Sequence, residues 1–122
     1  MDKIIRKRFD LQITALGDVV KDDFELEKTV KRVKGITLTS DRDDMLFYRG
    51  SQKIEINGTE IFPEEYESKL LMTGISLAPN HRYFAVDMEP GNGIVSIKYT
   101  DTDHVLAPFV TYRVSLYLEL EV

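Results

Sequence analysis

A chain of 122 residues, 43% hydrophobic and 30% charged, has the size and apolar content of one globular domain with its own core, spanning 1–122. It contains no cysteine, which excludes a disulfide framework, a thiolate nucleophile and Cys-ligated zinc. The formal net charge of −5 argues against nucleic acid, whose phosphates are bound by Lys and Arg.

No apolar run approaches the ~18 residues of a membrane span. The opening MDKIIRKRFDLQ has basic residues but no continuous apolar stretch, so no secretion signal is expected. The charge is unevenly spread. Residues 1–34 hold nine Lys/Arg against seven Asp/Glu, and residues 35–122 hold seven against fourteen. Basic clusters at Lys3, Arg6, Lys7 and Arg8, and at Lys28, Lys31, Arg32 and Lys34, suit solvated strand edges that discourage edge-to-edge pairing.

Taken in order, the first strand runs from about Ile4 to Leu16, where Phe9, Leu11, Ile13 and Ala15 alternate with polar residues. Gly17-Asp18 ends it, and Lys21-Asp22-Asp23 reads as a turn or loop. Phe24, Leu26 and Val30 restart the alternation, which slips by one residue near Gly35. A slip beside a glycine predicts a β-bulge or a bend between sheets.

The loop Ser40–Asp44 leads to the apolar run Met45–Tyr48 and a turn at Arg49-Gly50-Ser51. Asn57-Gly58 between two alternating runs predicts a two-residue hairpin, because a type I′ turn needs positive φ at both central residues. Pro63–Met72 is the one place where a short helix competes, with Pro first, acids in the first turn and Tyr66/Leu70 at i, i+4. Short strands over Ile75–Leu77, Arg82–Met88 and Ile94–Tyr99 follow, separated by turns at Ala78–His81 and Pro90-Gly91-Asn92-Gly93.

The last stretch, Phe109 to Val122, is the most regular. Val110, Tyr112, Val114, Leu116, Leu118, Leu120 and Val122 share one parity, and polar residues with Tyr117 fill the other. The expected fold is all-β: an antiparallel β-sandwich of jelly-roll or Greek-key type, with eight to ten short strands and at most one short helix. Long first and last strands then lie side by side. Fourteen extended residues span about 46 Å, against a diameter of roughly 35 Å for a compact domain of this length. A straight terminal strand would overhang its domain and need cover from another chain. That makes a homo-oligomer, or contact with other structural chains, the expected partnership. Arg113, Tyr117, Glu119, Leu120 and Val122 are the expected interface.

Catalytic signals are sparse. The only histidines are His81 and His104, and no nucleophile elbow, zinc-protease motif or phosphate loop occurs. No enzyme activity and no cofactor are expected. Two acidic loops offer oxygen ligands for calcium: Asp41, Asp43 and Asp44 in SDRDD, and Asp101 and Asp103 in TDTDH. Asp is also a common turn residue. Exposed Tyr48, Tyr66, Tyr83 and Tyr117 are candidate stacking platforms. The alternative function is therefore a carbohydrate- or ligand-binding module using Tyr48 and Tyr83, with calcium at Asp41, Asp43, Asp101 and Asp103.

The chain resembles the small single-domain β-sandwich proteins of virus particles, especially bacteriophage capsid, decoration or fibre-associated proteins. The likeness lies in the all-β content, the lack of Cys, the Asn57-Gly58 hairpin, the turns at Pro79-Asn80 and Pro90–Gly93, and the long terminal strand. The stretch from Tyr48-Arg49-Gly50-Ser51 to Ile61-Phe62-Pro63 shares it. The resemblance implies a structural subunit of a virion, found there or in host cytoplasm, assembling through sheet faces and edges without a catalytic site.

Overall fold

The computed structural model describes residues 3–72 and 83–122. Eight strands are seen among these residues: β1 Ile4–Ile13, β2 Val19–Glu25, β3 Arg32–Ser40, β4 Gly50–Ile56, β5 Thr59–Glu67, β6 Phe84–Met88, β7 Ile94–Asp101 and β8 Tyr112–Glu121. One helix, α1 (Asp43–Arg49), joins β3 to β4. Two antiparallel four-stranded sheets pack face to face, in the orders β1-β8-β3-β6 and β2-β7-β4-β5.

The pairing follows one rule. β1 pairs with β8, β2 with β7, β3 with β6 and β4 with β5. Each pair is a step along one long folded ribbon whose tip is the β4–β5 turn. Rolling the ribbon brings β3 onto β8 and β4 onto β7, and the eight strands among the described residues take the order of a jelly roll. The tip is the Asn-Gly hairpin expected from sequence, with φ of 54° at Asn57 and 72° at Gly58.

The core fills the space between the sheets. Tyr112, Val114, Leu116, Leu118 and Leu120 of β8 face Val95, Ile97 and Tyr99 of β7, and Ile54 and Ile56 of β4, all almost fully buried. The slip near Gly35 is a bulge. Val33 pairs with Leu120 and Ile36 with Leu118, so Lys34 is the extra residue and both apolar neighbours still point inward. An aromatic pair closes each open side of the sandwich. Phe9 stacks on Phe24 between β1 and β2, with ring centroids 4.4 Å apart, and Phe62 meets Phe84 edge-on between β5 and β6 at 5.3 Å.

Several expectations are corrected. Lys21-Asp22-Asp23 is strand, not loop. β2 lies at a sheet edge, where charges remain solvated and block further pairing. The helix occupies Asp43–Arg49 instead of Pro63–Met72. Pro63 sits within β5, an edge strand that does not require its missing N–H, and only a 3-10 turn at Ser68–Leu70 follows. β1 stops at Ile13 rather than Leu16, because the Gly17 N–H turns inward to Asp101 Oδ2 at 2.9 Å.

The terminal strand is ten residues long, about 33 Å at ~3.3 Å per residue. It lies inside its sheet, paired along its whole length with β1. The overhang inferred from a fourteen-residue strand does not form, and Leu120 is core instead of interface. The predicted strand at Ile75–Leu77 and the turn Ala78–His81 lie outside the described residues.

Candidate functional site

At the end of the sandwich where β4 begins, a surface cleft of about 510 Å³ opens between α1, the bulged part of β5, the 3-10 turn and the loop after β7. This is the size range of ligand and peptide sites. Helix α1 supplies one wall. Its acids Asp43 and Asp44 stand in the first turn and Arg49 in the last, as the helix dipole favours. Met45, Leu46 and Arg49 turn into the core, so the adjacent Phe47 and Tyr48 are forced outward, 45% and 39% exposed. Their rings meet edge-on at 5.0 Å, and the His104 ring lies 5.0 Å from Tyr48.

The loop after β7 forms the next wall with Thr102, His104 and Leu106. It carries the most exposed apolar side chains described, Val105 at 89% and Leu106 at 66%. His104 Nδ1 accepts the Leu106 N–H at 3.1 Å, which holds the imidazole beside Tyr48. The opposite wall bears Glu65, Glu67 and Lys69. Glu65 stands on the irregular part of β5 with φ of 60°. Lys69 Nζ lies 3.3 Å from Glu67 and 5.8 Å from the Phe47 ring centroid.

Beneath the cleft lies a buried polar chain. Arg49 Nε and Nη2 donate to Asp101 Oδ1 and Oδ2 at 3.0 and 2.8 Å, a two-bond fork between fully buried side chains. Arg49 Nη1 donates to Asp103 at 3.1 Å and to the Ala107 carbonyl at 2.9 Å, and Phe109 covers the guanidinium at 5.3 Å. The Thr102 N–H also bonds the Arg49 carbonyl at 2.9 Å. Arg49 thus pins the loop that walls the cleft.

The Tyr112 hydroxyl donates to Asp101 Oδ1 at 2.6 Å, and the Tyr99 hydroxyl lies 2.9 Å from that of Tyr112. Gln52 and Ser68 are hydrogen-bonded nearby within the core. Burial pushes both phenols well above their ordinary range. Burial alone would also raise Asp101, but bonds from Arg49, Tyr112 and the Gly17 N–H outweigh it and hold the carboxyl below its usual value.

The residues singled out from sequence separate into three groups. Tyr48 lines the cleft, whereas Tyr83 lies 5.6 Å from the Arg6 guanidinium beside β6, so the two do not form one platform. Arg113, Tyr117 and Glu119 share the wet face of the β1-β8-β3-β6 sheet. There Arg6 pairs with Glu119 at 2.9 Å, Arg8 covers Tyr117 at 6.0 Å, and Arg113 Nε donates to the Ser115 hydroxyl, which donates in turn to Asp10. Val122 is half-buried and exchanges two backbone hydrogen bonds with Lys3.

The two acidic loops are separately engaged. Asp41 accepts the Arg113 N–H at 2.8 Å, and Asp43 starts α1. Asp101 accepts four hydrogen bonds, which fills its lone-pair positions and leaves none for calcium. Among the described residues no group of three or more His, Asp or Glu is placed to hold a metal ion. His81 lies outside the described residues. The residues that sequence reasoning missed are Arg49, Phe47, Glu65, Glu67 and Lys69. An arginine between an apolar run and a glycine carries no local mark of burial. The remaining four meet only through the fold.

The fold is a jelly-roll β-sandwich with an aromatic cleft at one end. Comparison with models of known protein families, with curated proteins and with solved structures finds no match. No helix among the described residues is long and apolar enough to cross a membrane.

Proposed function

We propose that the protein is a structural or assembly subunit that acts through protein–protein contacts, made at the cleft end of the sandwich. The observation that carries this reading is the grouping of Phe47, Tyr48 and Leu106, large apolar side chains left to solvent around one cleft, with the exposed Val105 adjoining Leu106 in the same loop. An exposed apolar patch with a polar surround marks a contact surface. Isolated apolar side chains elsewhere would not require explanation.

The proposed setting is a virion or the host cytoplasm, and the proposed partner is first another copy of this chain. The jelly-roll order supports that setting only as far as a fold can, since lectins and cupins share it. The reading assigns the protein no reaction and no cofactor. A saccharide-binding module built on Tyr48 and Tyr83 together is less favoured, because the two rings are not neighbours.

Light scattering behind a sizing column, at several concentrations, tests the proposal. A defined oligomer that falls to a monomer in Val105→Asp and Leu106→Asp supports it. Both positions are exposed, so unfolding should shift by no more than about 0.5 kcal/mol. A monomer at every concentration overturns self-assembly.

A further inference from the structure

We infer that the cleft receives a basic side chain, a lysine or arginine, presented by a protein partner whose existence rests on the assembly reading above. The chemistry comes from the two walls. One is aromatic, made by the faces and edges of Phe47 and Tyr48 with His104 behind. The other carries Glu65 and Glu67. Arg49 contributes little net charge to the cleft, because Asp101 and Asp103 bind its guanidinium. Glu65, Glu67 and Lys69 therefore leave one negative charge in excess.

Glu65 is exposed and has no ion-pair or hydrogen-bond partner among the described residues. An apolar or anionic group entering the cleft would strip water from that carboxylate and give nothing back, and a neutral donor would return a hydrogen bond but no charge. A cation supplies the missing charge and is also attracted to the face of an aromatic ring. Its apolar stem fits along Leu106 and the ring wall, with the charged head toward Glu65.

The cleft already contains an example of this chemistry. Lys69 Nζ sits 5.8 Å from the Phe47 centroid and 3.3 Å from Glu67, an ammonium held between a ring and a carboxylate. Tyr48 and Glu65 also line the cleft, a second ring and a second carboxylate, from its two facing walls. At about 510 Å³ the cleft also has room for the backbone flanking such a side chain.

The test uses the full chain, labelled for amide NMR, and two capped pentapeptides, Gly-Gly-Lys-Gly-Gly and its norleucine counterpart. The lysine peptide should move the amide signals of Ser51, Thr102 and Leu106 saturably. The dissociation constant should rise about fivefold with norleucine, and similarly in Glu65→Gln and Tyr48→Ala. Unchanged signals elsewhere in the spectrum will show that each variant is folded. Equal binding of the norleucine peptide, undiminished binding by Glu65→Gln, or no movement at any attainable concentration overturns the inference. An oligomer that forms while the lysine peptide fails to bind leaves assembly standing and removes the basic anchor. A peptide that binds a strict monomer removes self-assembly and supports the cleft chemistry.

Discussion

Arg49 and Asp101 meet through two parallel hydrogen bonds of 3.0 and 2.8 Å, with both side chains cut off from solvent. A buried ion pair of this kind adds little net stability, because taking two charges out of water is costly; removing one partner strands the other. Arg49→Met should therefore lower unfolding stability by about 3–5 kcal/mol in urea titration. The double variant Arg49→Met/Asp101→Leu should recover part of that loss. If the two losses simply add, the ion pair is not what couples the residues.

The same centre sets the response to acid. The Asp101 carboxyl is held low in the folded protein and returns to about 3.9 when the chain unfolds. Its contribution is present above that value and is lost as pH falls through the lower, folded one. Urea midpoints should drop below about pH 4, and drop less in Arg49→Met/Asp101→Leu. Asp10, Glu27, Asp44 and Asp87 are also held low by neighbouring cations, but they are solvent-screened and contribute less.

At the alkaline end, Tyr99 and Tyr112 resist ionisation because burial raises both phenols. The unfolded chain ionises them near ~10, so stability is intact below that pH and declines as pH rises above it. Absorbance titration should show two of the six tyrosines ionising only as the protein unfolds. Smooth titration of all six in the folded protein would contradict the buried hydroxyl pair.

Gly50 begins β4 with extended backbone, yet no other residue fits there. An added Cβ would strike the Tyr99 hydroxyl and lie 2.6 Å from Ser68 Oγ and 2.8 Å from the Leu46 carbonyl. Gly50→Ala should cost about 1–3 kcal/mol through overpacking. Gly58→Ala meets open space, so any cost there reflects its φ of 72° alone. Thermal unfolding of the two variants separates a steric from a conformational requirement.

Phe9 and Phe24 face one another from different sheets. A double-mutant cycle with Phe9→Leu and Phe24→Leu should give a coupling of about 0.5–1.5 kcal/mol. Independent effects would mean that the ring stack does not hold this side closed.

What was legible in the sequence was whatever a period of two could encode. The alternation in Tyr112–Leu120, the Asn57-Gly58 turn and the slip at Gly35 each translate into a strand face, a hairpin and a bulge. Asp22 and Asp23 misled because propensity assigns acids to turns, whereas an edge strand tolerates them. The helix at Asp43–Arg49 escaped because seven residues are too few to display a 3.6-residue period. The cleft was least legible. Its walls come from segments up to about fifty residues apart, and only Tyr48 was marked as a binding residue beforehand.

The order of synthesis meets an obstacle in this topology. Among the described residues β8 is the one sheet partner of β1, and it separates β1 from β3. While residues 112–121 are still unmade, β1 has no other strand to join among the described residues and β3 lacks one neighbour. The first ten-residue strand to be synthesised must therefore wait for the last, and a nascent chain cannot complete this sheet while it is still growing through β7. Until then the apolar face of β1, with Ile5, Phe9, Leu11 and Ile13, carries one charge, Lys7, while Arg6, Arg8 and Asp10 stand on the opposite face.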